Sequence, residues 1–369
     1  MPLRLHLFTP DAQYPDDAKI ERKTAGPNVD WTICRERDFD RLPIDTRARA
    51  DGIVSWHEMP IDFGFIAKVP KCRVIVRAGV GFDHIDLEAA GRVGIPVCNT
   101  PDYGTSEVAD HAIALMLALT RGIVCFHENL VRDPIGGFDS LRAPLVRRLR
   151  GRTFGVVGFG RIGTATSLRA KAFGFRVVGY DPYVSAGTEI AIGIERINAL
   201  EELLGAADVV SLHCPLTAET RGMIDAKAFQ RMRSNAILIN TARGHIVDVA
   251  AMIVAIREGV IAGAGIDVLP TEPPNPRDEI AVAYRDLRTA GLVDRLIVTP
   301  HAAWASPESR ADARRLSVET AMMYLAKGHL RNLALVRTAW TQHSRWQIGR
   351  TTELTSADEN GRTLQGPAL

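Results

Sequence analysis

Short apolar runs rich in valine and isoleucine alternate with longer helix-like stretches along most of this chain. Each run is nearly continuous in apolar character and is bounded by Gly, Pro, Asn or Asp, which is typical of parallel strands buried on both faces. The alternation with helices predicts open, doubly wound α/β sheets. The predicted strands are residues 3–8, 51–56, 72–77 and 95–99 in a first series, and 153–158, 176–181, 208–213, 235–240, 263–268 and 296–300 in a second.

Two long helices are predicted beside these two series of strands. Residues 106–122 have Ser106 as a candidate N-cap, and their apolar character on nearly all sides indicates a buried helix that bridges two domains. Residues 306–328 form the second helix, with Gly328 as its C-terminal stop. The tail from about residue 341 is polar and aperiodic, so we expect it to be loosely packed.

Composition and charge exclude several classes of protein. The 369 residues suffice for two domains of ordinary size, and 46% apolar with 24% charged residues is usual for a soluble globular protein. The formal net charge is only +2. The short arginine cluster in residues 147–152 is interpreted as a solvated face, so we expect no direct nucleic-acid partner.

Targeting and redox signals favour the cytoplasm. The N-terminus is too short and too interrupted for a signal peptide, and the longest apolar run, residues 112–119, falls well short of a membrane span. The five cysteines are scattered and form no CxxC, which favours reduced thiols over disulfides or a zinc site. We therefore expect a cytoplasmic protein with no membrane partner and no metal.

The stretch GFGRIG, residues 158–163, predicts a dinucleotide site because of its context. A strand precedes it, a helix follows, and the next strand ends in Asp181, 18 residues after Gly163. Gly158 permits the tight turn, Gly160 lets the backbone approach a pyrophosphate at a helix N-terminus, and Gly163 allows close packing. Asp181 can accept hydrogen bonds from the adenosine ribose and would repel a 2′-phosphate, which favours NAD over NADP.

Two alternatives stay open at this motif. Arg161 either touches the phosphates or is a solvated residue at the start of the helix, and the whole motif could be a glycine-rich turn without a ligand. The agreement of strand, helix and Asp181 favours the ligand-binding interpretation.

Polar side chains follow three strands of the second series. Arg243 follows strand 235–240, Glu272 follows strand 263–268, and His301 ends the stretch IVTPH. Ligands of open parallel sheets bind outside the carboxyl ends of the strands, so these three side chains and the glycine loop should converge on one crevice. A histidine alone is usually structural, but the trio favours catalysis.

The trio suits the reduction of a 2-keto acid. NAD supplies the hydride. His301 can donate the proton to the forming alkoxide and take it back in the oxidative direction. Glu272 can hydrogen-bond the far ring nitrogen, and Arg243 can grip the carboxylate and polarise the carbonyl.

A loop after a strand of the first series offers a site for the substrate acid group. Gly79, Val80 and Gly81 expose backbone N–H groups, and Arg77 adds positive charge. The alternative is a simple glycine turn. His57 ends another strand and either faces the same cleft or is an ordinary loop histidine.

The motifs GFGRIG, YDPY, HCPLT, INTARG, GIDVLPTEP and TPHAAW, in this order over about residues 50–335, resemble the D-isomer-specific 2-hydroxyacid dehydrogenases. Other stretches look closest to the C-terminal binding protein branch, which couples this fold to transcriptional corepression. The resemblance implies the catalytic arginine, glutamate and histidine roles for the trio above. It further implies that Asp267 contacts the nicotinamide amide, that Pro215 and Thr220 line the adenine side, and that Trp304 contacts the substrate side chain. Ile162, Thr241 and Ala242, in the same motifs, are assigned to the cofactor site.

The resemblance also implies a layout. We expect a flavodoxin-like substrate domain from residues 1–100 and 303–340, interrupted by a Rossmann NAD-binding domain over 101–302, with a tail at 341–369. An arm near 122–150 would reach a second subunit and form a homodimer. The stretch between Glu272 and His301 is longer than the family usually needs. Residues 275–292 in it are interpreted as an inserted or extended helix that either covers the cleft or lies on its rim.

Three functions are compatible with this sequence. The first is an NAD-dependent dehydrogenase of a small D-2-hydroxy acid. The second, in the same class, is a phosphoglycerate or a glyoxylate/hydroxypyruvate reductase. The third is an NAD(H)-sensing dimeric binding protein of corepressor type, against which the retained trio argues, since a sensor needs only the cofactor site.

Overall fold

The chain forms two parallel sheets in a computed structural model that describes residues 4–334. The smaller sheet has the order β2-β1-β3-β4-β5 and consists of β1 (Leu5–Thr9), β2 (Val29–Ile33), β3 (Gly52–Ser55), β4 (Ile75–Arg77) and β5 (Val97–Cys98). Its short helices are α1 (Lys19–Ala25), α2 (Ile44–Arg49), α3 (Phe63–Ala67) and α4 (Leu87–Arg92).

The larger sheet has seven strands in the order β12-β11-β10-β9-β6-β7-β8. They are β6 (Thr153–Val157), β7 (Arg176–Tyr180), β8 (Glu195–Arg196), β9 (Val209–Leu212), β10 (Ile237–Asn240), β11 (Gly263–Ile266) and β12 (Leu296–Val298). The helices from the first crossing between sheets onwards are α5 (Thr105–Thr120), α6 (Ile123–Arg132), α7 (Arg161–Ala172), α8 (Thr188–Ile192), α9 (Leu200–Ala206), α10 (Ala226–Arg231), α11 (Val249–Arg257), α12 (Glu279–Thr289) and α13 (Pro307–Lys327).

The predicted fold class, two parallel α/β sheets with a Rossmann-type nucleotide sheet, is confirmed. The predicted strands form at the expected places, most of them shorter than predicted. Two strands escaped prediction: β2 alternates buried with half-buried residues, and β8 is only two residues long. The proposed domain limits near residues 100 and 302 stay a prediction.

Helices α5 and α13 connect the sheets. In α5, Leu115, Met116 and Leu119 pack into the core of the larger sheet, and in α13, Val318 and Ala321 pack into that of the smaller one. The chain therefore crosses between the sheets after β5 and again after β12, and both crossings lie at carboxyl ends of strands. This arrangement places a cleft where parallel sheets bind ligands.

The ends of these two helices test the capping predictions. Gly104, not Ser106, is the N-cap of α5, and Ser106 lies inside the first turn, so that prediction was wrong. The Gly328 stop of α13 is confirmed, because Gly328 has a left-handed φ of 69°. Ser306 caps the start of α13, and its hydroxyl accepts the N–H of Ser309.

The segment 275–292 forms helix α12, as predicted. Its residues Ile280, Ala283 and Leu287 are buried in the core of the larger sheet, and the Tyr284 hydroxyl donates to the Leu296 carbonyl over 3.4 Å. The helix thus extends the outer layer of this sheet rather than covering the cleft.

Some expectations concern absences or the tail. All five cysteines are free thiols. Within residues 4–334, no cluster of metal-ligating side chains is present, and no single helix is long and apolar enough to cross a bilayer, although the bent pair α5–α6 passes that test jointly. The predicted tail at 341–369 lies outside the described residues.

Candidate active site

His301 and Glu272 form a close pair at the carboxyl ends of β12 and β11. The Nδ1 atom of His301 lies 2.6 Å from Oε2 of Glu272, and the other carboxylate oxygen accepts the N–H of Leu269 over 2.8 Å. Burial alone would raise the pKa of Glu272, but the hydrogen bond and charge of His301, with the Leu269 N–H, outweigh it and lower this pKa. Glu272 is therefore an ionised acceptor that fixes the orientation of the ring.

The backbone of His301 is held in an unusual conformation by Asp267. His301 has a φ of 51°, which is uncommon for a residue with a side chain, and its N–H donates to the Asp267 carbonyl over 2.7 Å. The buried Asp267 carboxylate accepts the Thr299 hydroxyl at 2.5 Å and the N–H groups of Ala302 and Ala303 at 2.9 Å each. These bonds determine where the imidazole leaves the strand.

The expected nicotinamide contact of Asp267 is thus not what the structure describes, because both of its oxygens are engaged within the His301 loop. His111, on α5, reaches the same place: its Nε2 lies 3.0 Å from the Thr299 hydroxyl and 3.6 Å from the Asp267 carboxylate. A contact of Asp267 with the cofactor stays a prediction.

Arg243 follows β10 and reaches across the cleft to the smaller sheet. Its Nε donates to Asp83 over 2.8 Å, and its Nη1 donates to the Ala242 carbonyl over 2.8 Å. The guanidinium passes directly over Gly81, where an added Cβ would lie 1.3 Å from Nη2. Any side chain at position 81 would therefore collide with Arg243 in this position, and only glycine leaves room for it.

The trio converges around His57. Burial lowers the pKa of His57 to about 3, and the charged groups that also act on it are Arg77, His301, Glu272 and Arg243. The His57 ring centroid lies 5.4 Å from that of His301, and its nitrogens face the Gln13 amide at 3.3 and 3.4 Å. The structure thus brings together the three residues that the sequence placed at separate strand ends, with His57 beside them.

The glycine loop offers fewer free donors than expected. The N–H of Gly79 donates to the Arg77 carbonyl over 2.8 Å, so it is already used. In the described part of the chain, the N–H groups of Val80 and Gly81 donate to no protein acceptor. These two groups are available for a carboxylate.

Arg77 contacts the loop for which it was expected to supply charge, and its binding to a substrate stays a prediction. It is 5% exposed, its Nε donates to the Gly81 carbonyl over 2.8 Å, and its Nη1 donates to the Ala78 carbonyl. Burial lowers the pKa of this guanidinium. Arg77 therefore holds the glycine loop by its carbonyls.

The glycine motif at 158–163 has the geometry of a phosphate cradle. Gly158 has a φ of 84°, and a Cβ there would lie 2.8 Å from the Cys214 nitrogen, while one at Gly163 would lie 2.0 Å from the Gly158 carbonyl oxygen. Gly160 is the N-cap of α7 and provides no side-chain acceptor, so N–H groups at the start of this helix remain for an anion. Ile162 lies in the first turn of α7.

The two charged residues at this motif are differently placed. Asp181 follows β7, and its carboxylate accepts the N–H of Phe159 over 3.1 Å and that of Tyr183 over 2.9 Å. It is therefore fixed beside the cradle. Arg161 is the first residue of α7 and pairs with Asp102 at 2.8 Å, with both side chains largely exposed, which agrees with the solvated helix start; a contact with the phosphates stays a prediction.

The remaining assigned cofactor residues divide into two groups. The Thr241 hydroxyl is buried and has no hydrogen-bond partner among the described residues, as expected for a group that meets a ligand. Thr220 is 2% exposed, and its hydroxyl donates to the Pro215 carbonyl over 2.7 Å, so it closes its own loop; its place on the adenine side stays a prediction. The Ala242 N–H donates to the Asn240 side chain over 3.0 Å.

An aromatic wall lies beside His301. The ring centroid of Trp304 is 6.1 Å from that of Trp56 and 5.9 Å from that of Tyr103, and the Arg310 guanidinium lies 5.6 Å from the Trp304 ring. Trp304 and Tyr103 come from the two crossings between the sheets. Together these rings form an apolar boundary near the catalytic pair.

Several residues of this site were not assigned from the sequence. His111, Trp56 and Tyr103 gave no local signal, since a single histidine or aromatic residue has no motif of its own. Only Asp83 had a hint, because it lies in the glycine loop already considered for substrate.

Comparisons with known proteins agree with this site. The model of the D-isomer specific 2-hydroxyacid dehydrogenase NAD-binding domain matches residues 113–303. A glyoxylate reductase of Korarchaeum cryptofilum is 39% identical over 277 residues, which cover 74% of this chain and 79% of that protein. The chain belongs to the D-isomer-specific 2-hydroxyacid dehydrogenase family. This dehydrogenase is therefore an NAD-dependent oxidoreductase that interconverts a 2-hydroxy acid and its 2-keto acid.

This dehydrogenase is also similar to other members of the family in sequence and structure. A D-3-phosphoglycerate dehydrogenase of Methanocaldococcus jannaschii is 39% identical over 313 residues, covering 85% of this chain but only 56% of that protein. A D-lactate dehydrogenase from Aquifex aeolicus, solved with NAD and lactic acid, has 29% identity and a TM-score of 0.75, covering 90% of this chain and 100% of that one. An NADPH-dependent glyoxylate/hydroxypyruvate reductase from Sinorhizobium meliloti has 28% identity and a TM-score of 0.77, with 90% and 97% covered. Membership of the C-terminal binding protein branch stays a prediction.

Proposed function

We propose that His301 is the acid–base group of this dehydrogenase and that Glu272 orients it. The observation that carries the proposal is the 2.6 Å contact between the two side chains at adjacent strand ends. In the reductive direction, His301 donates its proton to the carbonyl oxygen of the keto acid, and in the oxidative direction it removes the hydroxyl proton. The ionised Glu272 contacts Nδ1 of His301 and holds the ring so that its other nitrogen, Nε2, can serve as the proton donor.

Arg243, with the N–H groups of Val80 and Gly81, binds the acid end of the substrate in this proposal. The support is that Nη2 of Arg243 passes over Gly81, next to the two available N–H groups. A guanidinium and two amide donors can hold a carboxylate and place the neighbouring carbonyl beside His301. His57, neutral because its pKa is lowered to about 3, can contribute a hydrogen bond without adding charge.

The residues at the carboxyl ends of the strands of the larger sheet are suited to bind NAD. Bound there, it supplies the hydride or accepts it. Gly158, Gly160 and Gly163 would hold the pyrophosphate, Asp181 the adenosine ribose, and the partnerless Thr241 hydroxyl would meet the cofactor. A carboxylate at Asp181 repels a 2′-phosphate and so favours NAD over NADP.

The aromatic wall favours a keto acid with an apolar tail. Trp304 packs on the buried Trp56, and the half-buried rings of Trp304 and Tyr103 offer apolar surface at the two crossings between the sheets. A methylene group placed against such a surface contributes roughly 1–3 kcal/mol to discrimination. Glyoxylate has no tail to use this surface, and a phosphorylated acid would depend on Arg310, whose guanidinium lies 5.6 Å from the Trp304 ring, to balance its charge. Activity with glyoxylate, pyruvate, 4-methyl-2-oxopentanoate, phenylpyruvate and 3-phosphohydroxypyruvate separates these classes.

We further infer a cytoplasmic homodimer built on the arm at 122–150. Its residues Ile135, Phe138 and Leu141 are 83–90% exposed, which is unusual for apolar side chains on a monomer surface. A second copy of the chain would cover them.

The experiment that tests the catalytic assignment is His301→Ala. We expect kcat for keto-acid reduction to fall by about 10²–10⁴, because general acid catalysis supplies a factor of this size. The Kd of NADH, measured by fluorescence titration, should stay within about two-fold, since His301 is assigned to the proton alone. His329→Ala, at an exposed histidine after α13, is the matched control and should leave both quantities unchanged.

Two outcomes would overturn the assignment. One is a loss of NADH affinity equal to the loss of rate. The other is a wild-type protein that reduces no acid of the panel while NADH binds tightly and alters its dimerisation, which would favour the sensor function.

A further inference from the structure

An ion pair spans the cleft beside the catalytic pair and involves a residue with no assigned role. Asp83 lies in the loop after β4 of the smaller sheet, and its Oδ1 accepts Nε of Arg243, which follows β10 of the larger sheet, over 2.8 Å. The two side chains are 37% and 25% exposed. From this geometry we propose that Asp83 is a positioning residue that aims Arg243 at the substrate. This inference rests on the proposed role of Arg243.

The hydrogen bonds of Arg243 show what Asp83 selects. Nε is used by Asp83, and Nη1 is used by the Ala242 carbonyl. Within residues 4–334, Nη2 contacts no hydrogen-bond acceptor, and it lies over Gly81. The free end of the guanidinium therefore points to the place where the N–H groups of Val80 and Gly81 are also free. Asp83 holds the Nε side of the Arg243 guanidinium so that Nη2 is directed at the carboxylate of the substrate.

The negative charge of Asp83 also balances the positive charges of Arg243 and Arg77. Arg77 is buried nearby, and Arg243 and Arg77 are cations that act on each other, with Asp83 as an anion acting on both. Burial alone would raise the pKa of Asp83, but the charge and hydrogen bond of Arg243 outweigh it, so the net shift is downward and Asp83 is ionised. Without the negative charge of Asp83, the guanidinium groups of Arg77 and Arg243 would repel each other beside the glycine loop at 79–81.

Stability alone does not account for this pair. Partly exposed ion pairs contribute little to the free energy of unfolding, because both side chains lose rotamer freedom and water screens the charges. An arginine that is free to rotate, however, presents its fork to a carboxylate only part of the time. The pair therefore matters for the orientation of Arg243 much more than for folding.

The test is a double-mutant cycle with Asp83→Ala and Arg243→Lys, assayed with NADH and with phenylpyruvate and glyoxylate as probes. We expect Asp83→Ala to lower kcat/KM about 10–100-fold, mainly through KM, while the Kd of NADH stays within two-fold. Asp83→Asn, which keeps an oxygen acceptor for Nε, should recover part of the loss. In the Arg243→Lys background, where the fork is absent, Asp83→Ala should change kcat/KM by less than about two-fold.

Glu88→Ala is the matched control, because it removes an exposed ion pair with Arg92 in the same lobe, formed over 3.0 Å. It should leave kcat/KM unchanged. Full additivity of Asp83→Ala and Arg243→Lys would overturn the inference, as would an unchanged kcat/KM for Asp83→Ala. If Arg243→Lys itself keeps full activity, the proposed function fails at Arg243; if only Asp83→Ala does so, the positioning role alone fails.

Discussion

Gly81→Ala is the sharpest test of how the arginine enters this site, because it adds a single methyl group at a known distance from it. The new Cβ would lie 1.3 Å from Nη2 of Arg243, 2.4 Å from Cζ and 3.0 Å from Nε. Ordinary contact requires about 3.5–4 Å between such atoms, so the tip of the guanidinium must move by roughly 2 Å. The amide N–H of residue 81 is kept, which separates the effect on Arg243 from the loss of a donor.

The expected cost falls on catalysis and not on folding. A misplacement of about 1 Å can cost about 10²-fold in rate, so kcat/KM should drop by at least about 10²-fold, or about 3 kcal/mol in the transition state. Gly81 does not have a positive φ, so alanine fits its backbone, and the side chain that must yield is flexible. The gain from a stiffer unfolded chain, about 0.4–1 kcal/mol, roughly offsets a strained surface ion pair worth up to about 1 kcal/mol.

The assay combines keto-acid kinetics with thermal unfolding and NADH titration. Gly91→Ala, at a helical position in the same lobe with open space around it, is the matched control and should keep full activity. A kcat/KM within about three-fold of the wild type for Gly81→Ala would refute the placement of Arg243. A loss of activity that comes with unfolding or with weaker NADH binding would refute the separation of catalysis from folding.

Two further predictions concern histidines. Glu272→Gln should lower kcat for keto-acid reduction by roughly ten-fold, because a hydrogen bond to a carboxylate holds the His301 ring more strongly than one to an amide, by about 1.4 kcal/mol; an unchanged kcat would contradict the orienting contact. Burial lowers the pKa of three histidines to about 3 each: His57, His84 and His213. Below pH 6.5 the unfolded chain therefore binds more protons at these histidines than the folded protein does. The free energy of unfolding should fall as the pH is lowered from 6.5 towards 3. At pH 5 this amounts to about 2 kcal/mol for each histidine, offset by about 1 kcal/mol from Asp11, whose pKa burial raises to about 6; urea unfolding at pH 7 and pH 5 measures the difference, and equal free energies of unfolding would contradict it.

The geometry of the glycine loop at 158–163 and the contact of Glu272 with His301 were predictable from the order of residues along the chain. Glycines 158, 160 and 163 act within one turn between a strand and a helix, so their spacing carries the geometry. Glu272 and His301 follow strands that pair directly, β11 with β12, and parallel strands bring their carboxyl ends together. A local pattern and one topological rule were sufficient for both.

Some contacts could not be predicted, because packing decides the partners of these side chains. Arg77 was assigned to the substrate for its charge, and two of its donors meet the carbonyls of its own loop. Thr220 was assigned to the cofactor site, and its hydroxyl closes the turn at Pro215. Both assignments stay predictions. A buried hydrogen-bond donor must pair with an acceptor, and the residue type alone does not tell which carbonyl lies nearest to it in the folded chain.

By itself, the sequence determined the two sheets, the glycine loop and the meeting of Glu272 with His301, because alternation, glycine spacing and strand order act over short stretches. Only the tertiary structure decided how the cleft is completed. Arg243 meets Asp83 across 160 residues, and His111 meets Thr299 across 188. Contacts at such separations depend on how two independently formed sheets dock, and no local pattern records that.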